Sequence, residues 1–357
     1  MNLSKNMIDS IDWDKSYNVF AWDSGYDHDK VATDSEKSLT SPSVTEKVPA
    51  GSFKISKNSE FSTDRMLVKY LEEEFRVGDF AINTSASGGK KNFEEDRFKN
   101  KEELVRLLAL VAALNPNKSK IKIDILMVGL PVANYQKYKE AIVKRFKGQF
   151  FKFQVPDSNG DYKEMQLYIA NCNCVPQGVG MYYDYTLDMQ GKPKSKDLID
   201  SQYAVLDVGG KTVDGYISYG KNNIIPETVV PIEKGITDAF KEVAKKLDNA
   251  PYTKVEKTYI KGKDTIHWNG EHHIRSLCEE EFKNLAEEIY STTHNNWVRF
   301  LPGTEFILLG GGGGSVIKEH LSYLFKNKVK LVDDPQMSNA RGYLKLGIYA
   351  QSRKNKN

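Results

Sequence analysis

YAVLDVGGKTVDGYI, Tyr203 to Ile217, decides how the rest of the chain is read. A run of strand-forming apolar residues ends in an aspartate, two glycines and a Lys-Thr pair follow, and the chain then turns apolar again. The pattern predicts a strand, a tight turn and a return strand, with a carboxylate delivered at the turn. NVFAWDSGYDHDKVA, Asn18 to Ala32, has the same grammar: Asn18 to Trp22 read as a strand, and Lys30 to Ala32 begin its return. Asp-x-Gly after an apolar strand is by itself an ordinary β-turn. Two copies, each opening one half of the chain, carry more information than either alone.

At 357 residues the chain suits two domains rather than one core. A hydrophobic content of 39% and a charged content of 28% are those of a soluble globular protein. The net charge of +3 gives no strongly basic face, so direct sequence-specific DNA binding is not expected. No segment is long and apolar enough to span a membrane. LVRLLALVAAL, Leu104 to Leu114, is too short and carries Arg106, so it reads as a buried amphipathic helix. The N-terminal MNLSKNMIDSIDWDK lacks the apolar core of a signal peptide. With 3 cysteines a disulfide framework is not expected, and a reducing cytoplasm is the expected location.

Outward from the two hairpins the chain alternates strands and helices, which predicts an α/β architecture. Residues 1–16 read as a polar extension. A loop-rich subdomain covers about 40–100, with strand-like pieces such as FRVGDFAI, Phe75 to Ile82. Helix is predicted over Lys101 to Leu114, strand over Ile121 to Pro131 and helix over Tyr135 to Phe146. In the second half, helices are predicted over Ile236 to Leu247 and Ser276 to Tyr290, followed by the strand EFILL and the run Gly310 to Gly314. Tyr252 to His273 read as an irregular, charged insertion, and a last helical segment carries NARGYLKLGIYA, Asn339 to Ala350. The expected division is a first domain of 17–185 with 336–357 and a second of 186–335.

A triphosphate is the ligand such turns suit. It needs backbone N–H donors, a cation and something to hold a metal. Gly25 and its neighbours can offer amides, and Lys30 can reach phosphate as a point charge. Gly209, Gly210 and Thr212 can form the opposing turn. Asp23 and Asp207 repel phosphate directly, and make sense where a hydrated Mg²⁺ lies between. Five glycines after FILL are a poor linker between ordered elements, and a flat surface for an adenine base explains them better than a flexible loop. Cys172 with Cys174 and His272 with His273 do not have zinc-ligand spacing, so the cysteines read as small packed hydrophobes. The lysines of KPKSKD and the terminal SRKNKN read as solvated surface.

Taken together, DSGYDHDK, CVPQGVG, LDVGGKTVDG, FILLGGGGG and NARGYLKLG resemble, in order, the two phosphate motifs, two connecting elements and adenosine motif of the actin, Hsp70 and sugar-kinase superfamily. Within it the chain is most similar to the ParM (StbA-like) bacterial actins that segregate plasmids, on FRVGDFAI ahead of EELVRLLALVAAL, on MVGLPVANY, on VLDVGGKTVDG and on NARGYLKLG. Tyr26 to Asp29 and Tyr252 to His273 depart from that pattern. The resemblance implies an actin-like ATPase fold: two related lobes, each a mixed β-sheet flanked by helices, with the nucleotide in the cleft between them. It implies that Asp23 and Asp207 hold the water shell of Mg²⁺, and that Ser24, Gly25, Tyr26, Lys30, Gly209, Gly210, Lys211, Thr212 and Gly235 serve the phosphate side. Gly310, Gly311, Gly312 and Gly313 line the adenine pocket in the same reading. Gln177 falls where actins place the residue that orients the attacking water, where ParM proteins often have a carboxylate. A neutral amide positions water but is no strong base, which suits slow hydrolysis.

The expected activity is therefore nucleotide-dependent polymerisation with ATP (or GTP) and Mg²⁺, subunits adding head to tail and hydrolysis weakening the filament. The resemblance supplies as partners a second copy of the chain and a small ParR-like DNA-binding adaptor on centromeric plasmid DNA. A sugar-type kinase and a non-segregating bacterial or archaeal cytoskeletal actin are the alternatives. A sugar kinase needs a carboxylate base, where this chain has Gln177.

Overall fold

The computed structural model describes residues 5–49, 60–84, 89–92, 94, 96–159, 161–220 and 223–354. Parts of the 40–100 segment and the last residues of the SRKNKN tail lie outside these. The chain divides into two compact units. One comprises Met1–Pro176, Leu187–Lys192 and Ala340–Asn357, the other Gln177–Thr186 and Pro193–Asn339.

The first unit begins with α1 (Lys5–Asp9), a short turn inside the expected polar arm. The arm is tied down: Ile8 is buried, and the Asp14 carboxylate accepts from the Ser119 amide, the Ser119 hydroxyl and the Lys120 amide at 2.8, 2.9 and 2.9 Å. Strands β1 (Lys15–Ser24), β2 (His28–Thr33) and β3 (Ser38–Pro42) form an antiparallel meander. β4 (Thr45–Val48), β5 (Met66–Tyr70) and β6 (Glu73–Val77) follow. FRVGDFAI is not one strand-like piece. Gly78, at φ +63°, ends β6, and α2 (Asp79–Thr84) starts at once. A Cβ at Gly78 would lie 2.3 Å from Ser41 Oγ, so the bend packs too tightly for a side chain.

α3 (Lys101–Leu114) has the predicted bounds, with Glu102 and Glu103 in a first turn where the helix dipole favours anions. Its Leu, Val and Ala residues are buried almost all round, so it is an internal helix against β3, β5 and β6. β7 (Lys120–Leu130) alternates at first and then runs fully buried, as a central parallel strand does. α4 (Val132–Phe146), β8 (Gln149–Pro156) and β9 (Tyr162–Pro176) complete the layer. Among the described residues the sheet has nine strands in the order β3-β2-β1-β7-β9-β8-β5-β6-β4, with β1–β7 and β7–β9 parallel.

The second unit contains α5 (Val179–Thr186), α6 (Lys196–Asp200), β10 (Gln202–Val208), β11 (Val213–Tyr219), β12 (Asn223–Ile224) and β13 (Val230–Ile232). α7 (Ile236–Lys246) precedes a segment expected to be irregular that is instead regular: α8 (Tyr252–Ile260) and a hairpin of β14 (Thr265–His267) and β15 (Glu271–His273). Its charges mask an inner face, for Val255 and Ile266 are buried in the unit's core. α9 (Arg275–Trp297), β16 (Phe306–Gly310), α10 (Gly314–Leu324) and β17 (Val329–Leu331) follow, and α11 (Ser338–Lys354) belongs to the first unit from Ala340 on. The sheet order is β12-β11-β10-β16-β17, with β13 also on β11. β10–β16 and β16–β17 are parallel, while β10–β11 and β11–β12 are antiparallel. This is the plan of β3-β2-β1-β7-β9: an antiparallel meander whose first strand opens a parallel run. Each sheet has its own buried core, around Phe20, Leu107 and Ile123 in the first unit and Leu206, Phe282 and Ile307 in the second.

Candidate functional site

In the first unit, β1 and β2 set Asp23 opposite Lys30. Asp23 is 1% exposed, and Lys30 Nζ lies 3.1 Å from its Oδ2. At the turn the Gly25 amide donates to the Asp23 and His28 carbonyls at 3.2 and 3.1 Å. A Cβ on Gly25 would stand 2.6 Å from the His28 carbonyl oxygen and 3.0 Å from Lys30 Nζ, so the turn closes on the lysine only around glycine. Burial, with Lys30 adding to it, pushes the His28 imidazole below its ordinary value.

Behind this turn is a buried ionic network. Arg106 donates through Nε to Asp29 Oδ2 and through one terminal nitrogen to Glu103 Oε2, each at 2.6 Å. The Ser24 hydroxyl donates to Glu103, and Arg97 donates to the Ser24 carbonyl. The Arg97 guanidinium also lies 4.1 Å from the Tyr26 ring centroid. Burial works against the charge on Arg106, but Asp29 and Glu103 outweigh it and hold its pKa above the usual value. Trp22 Nε1 supplies a further donor to Asp29 at 3.0 Å. Ser24 and Tyr26 thus sit on a rigid ionic base.

In the second unit, β10 and β11 set Asp207 opposite Asp214. The Gly209 amide donates to the Thr212 carbonyl at 2.9 Å, closing a two-residue loop of Gly210 and Lys211. Burial, then Asp207 and Glu233, push the Asp214 carboxyl up to about 7. Gly235 caps α7 against the same loop, with the Ile236 and Thr237 amides donating to the Gly209 and Gly210 carbonyls at 3.1 and 2.9 Å. A Cβ on Gly235 would fall 2.4 Å from the Gly210 carbonyl oxygen. These two α7 donors are thereby spent on the loop rather than on an anion.

The glycine run is mostly a packing device. A Cβ on Gly310 would meet Met181 Sδ at 1.9 Å, one on Gly311 the Val208 carbonyl oxygen at 2.3 Å, and one on Gly313 the Ile236 side chain at 2.7 Å. Gly311 takes φ +78°, and its amide donates to the Pro335 carbonyl at 3.1 Å. Gly312 differs: a Cβ there meets nothing within 4 Å. Of the four glycines assigned to adenine, Gly312 is the one whose added side chain faces open space.

Two family models match this chain. The N-terminal domain of actin-like proteins matches residues 21–180, and the C-terminal domain of the archaeal actin homologue MreB-like matches residues 205–323. The chain has the actin-like fold. Solved structures with this fold include the actin-like protein Alp7A, at 16% identity over 96% of this chain and 98% of that one, with a TM-score of 0.79. The archaeal actin homologue Ta0583 in complex with ADP aligns at 17% identity over 94% and 99%, with a TM-score of 0.74. A 15-stranded ParM filament from Clostridium botulinum aligns at 21% identity over 93% and 99%, with a TM-score of 0.70. No curated protein matches the chain by sequence.

Within this actin-like chain the candidate residues form two sets. Asp23, Ser24, Gly25, Tyr26 and Lys30 belong to the first unit, and Gln177, Asp207, Gly209–Thr212, Gly235 and Gly310–Gly313 belong to the second. Gln177 opens the turn before α5, and the Gly178 amide beside it donates to Asn339 Oδ1 at 3.0 Å. Asn339 Nδ2 in turn donates to Asp207 Oδ2 at 2.7 Å. Sequence reasoning missed Asp29, Arg97, Glu103 and Arg106 behind the first hairpin, and Asp214 and Asn339 in the second unit. Register was the available signal for Asp214, since the four residues Gly209–Thr212 between the paired Val208 and Val213 set it across from Asp207. Glu103 and Arg106, three apart in an apolar helix, were the signal for the network. The cysteines are not poised as ligands: Cys172 is buried, and burial pushes the Cys174 thiol up to about 12. His272 Nε2 lies 2.8 Å from the Trp268 carbonyl oxygen. Among the described residues no helix is long and apolar enough to cross a membrane.

Proposed function

We propose that this actin-like protein is a nucleotide-dependent, filament-forming ATPase. The observation that carries the reading is the duplicated hairpin: one sheet plan occurs in both units and delivers Asp23 in one and Asp207 in the other to a glycine turn. We assign the phosphate contacts of a nucleoside triphosphate, ATP or GTP, to Ser24, Gly25, Tyr26 and Lys30 of the first hairpin and to Gly209, Gly210, Lys211 and Thr212 of the second. The donor chemistry fits Mg²⁺, because facing carboxylates at Asp207 and Asp214 are the hard oxygen ligands that ion accepts through its water shell. When bound, Mg²⁺ neutralises phosphate charge. Gln177 orients the attacking water through its amide, and Lys30 adds a positive charge beside Asp23. The base lies against Gly312, where the run is open.

Filament formation draws support from the ParM filament that shares the fold, and nucleotide binding from the ADP complex of Ta0583. The partner in polymerisation is a second copy of this chain, added head to tail so that growth does not close. The biological role we favour is plasmid segregation in the cytoplasm, the filament growing against a ParR-like adaptor on centromeric DNA. Light scattering and sedimentation with and without ATP and Mg²⁺ test the polymerising activity. Assembly that needs both, and phosphate release that slows in Gln177→Ala while assembly persists, are the expected results. A chain that stays monomeric at high concentration with ATP and phosphorylates a small hydroxyl acceptor is a kinase, and the proposal fails. For the segregation role, co-sedimentation of the filament with an adaptor encoded beside this gene is expected only if that adaptor carries its DNA.

A further inference from the structure

Asn339 stands 5% exposed at the start of α11, the last residue of the second unit. Its amide has one donor end and one acceptor end, and the two point at different parts of the candidate site. Nδ2 donates to Asp207 Oδ2 at 2.7 Å, and Oδ1 accepts from the Gly178 amide at 3.0 Å. The two contacts fix which end is nitrogen, since the reverse would set a carbonyl oxygen against a carboxylate and an NH₂ against an N–H. Both anchor points are themselves rigid. Gly178 takes φ +81°, and a Cβ there would sit 2.8 Å from Val205 and 3.0 Å from Tyr216. Asp207 pairs in β10 with Asp214 on one side and Gly310 on the other. The residues just before Asn339 bind the glycine run as well: the Pro335 carbonyl accepts from the Gly311 amide at 3.1 Å and from the Ser338 hydroxyl at 2.8 Å.

We propose that Asn339 is a positioning residue that fixes the Asp207 carboxylate and the turn bearing Gln177 relative to each other. The inference rests on the roles given above to Asp207 and Gln177, and adds a residue neither motif contains. An amide is suited to the task, because a carboxylate of the same size keeps the acceptor for Gly178 but loses the donor to Asp207. Displacement of a water-orienting group by about 1 Å is enough to reduce turnover on the order of a hundredfold. Asn339 acts on turnover through that displacement, without touching nucleotide.

The test uses the full chain and two independent readouts. Amide hydrogen exchange of the segment around Gly178 reads the tie itself. Exchange in the apo protein is expected to accelerate about tenfold or more in Asn339→Ala and to change little in Asn339→Asp, which keeps the acceptor. Equal protection in wild type and Asn339→Ala overturns the tie. ATP hydrolysis reads the positioning role. Asn339→Ala is expected to lower kcat about tenfold with KM nearly unchanged, and to have almost no further effect in a Gln177→Ala background, because a residue acting through another gives non-additive losses. In Asn339→Asp the half-saturating Mg²⁺ concentration is expected to differ several-fold from wild type. Fully additive losses of kcat, or an unchanged kcat in both variants, overturn the proposal. If Asn339→Ala does not fold, the near-isosteric Asn339→Asp still supplies the kinetic answer. A wild-type protein that hydrolyses no nucleotide overturns the functional reading and with it the positioning role, while the exchange result stands by itself.

Discussion

In each hairpin the residue facing the aspartate is the one seven positions on: Lys30 opposite Asp23, and Asp214 opposite Asp207 (30 − 23 and 214 − 207). One backbone register therefore builds two opposite electrostatic settings. The first carboxylate has a lysine 3.1 Å away and an arginine-centred ionic network behind its turn. The second meets another carboxylate, is held by an asparagine amide, and is crowded by glycine backbone, a Cβ on Gly311 reaching within 2.6 Å of Asp207 Oδ1. A shared topology fixes where a side chain is delivered, and the neighbours decide what charge state it keeps. The first hairpin is neutralised from within; the second sets two carboxylic groups face to face, the Asp214 proton held up by burial and by Asp207.

The largest effect that can break this comparison is at Arg106. Arg106→Met leaves Asp29 and Glu103, 1% and 3% exposed, without their shared cation. Removing one partner of a buried ionic set costs about 3–5 kcal/mol. Urea unfolding should show a loss of that order, together with weaker nucleotide binding through the displaced Ser24–Tyr26 turn. A loss below about 1 kcal/mol would mean the network is not the base of the first hairpin, and the contrast with the second would reduce to one lysine.

The next effect belongs to the second hairpin. Gly311→Ala demands a left-handed φ from a residue with a side chain and drives its Cβ to 2.3 Å from the Val208 carbonyl oxygen, a backbone atom with little freedom to retreat. We expect a loss of about 2–4 kcal/mol, made of left-handed strain and the forced shift. Thermal and urea unfolding of the variant measure it, and a wild-type midpoint would show that the run does not pack against β10 as described.

What could be read from the sequence follows the same division. Both hairpins, the bounds of α3, the parallel strand of β7 and the final helix were legible, because apolar periodicity and Asp-Gly turns are local signals. α8 and the β14–β15 hairpin were not legible, since they show a buried Val255 and a buried Ile266 in an otherwise charged stretch. The bend at Gly78 was missed because only the nearby Ser41 and Met66, distant in sequence, make a side chain impossible there. The site shows the contrast most clearly. Asp23 and Asp207 announce themselves by the glycines beside them, whereas Arg97 and Glu103 reach Ser24 from 73 and 79 residues away and Asn339 reaches Asp207 from 132 residues away, and nothing local marks Arg97 or Asn339. The glycine run was legible as a feature but not in its cause, which is close approach by Met181, Val208 and Ile236 at three of its positions.

A comparable effect separates the hairpins by pH. Asp214 holds its proton up to about pH 7 when folded, against an ordinary 3.8. Between those values the folded state binds more protons than the unfolded one, so stability falls as pH rises from about 4 to about 7 and then levels. Asp214→Asn removes this slope. Metal-free wild type and variant compared by urea unfolding should diverge across that window, the variant ahead by on the order of 4 kcal/mol at pH 7. Parallel curves would show that Asp214 ionises normally and that neither its burial nor the facing Asp207 holds its proton.

The smallest structural effect is the most informative about the ligand. Gly312→Ala introduces a methyl group that meets nothing within 4 Å, at a position outside the left-handed region. Stability should change by less than about 0.5 kcal/mol, as at an exposed site. Its neighbours Gly311 and Gly313 have protein reasons to be glycine; Gly312 has none in its own unit. If a flat base lies against the run, this methyl weakens nucleotide binding several-fold while the unfolding midpoint stays put, and fluorescent-nucleotide titration beside urea unfolding separates the two. Unchanged affinity at unchanged stability would remove the base from Gly312 and leave the glycine run as packing for the second hairpin alone.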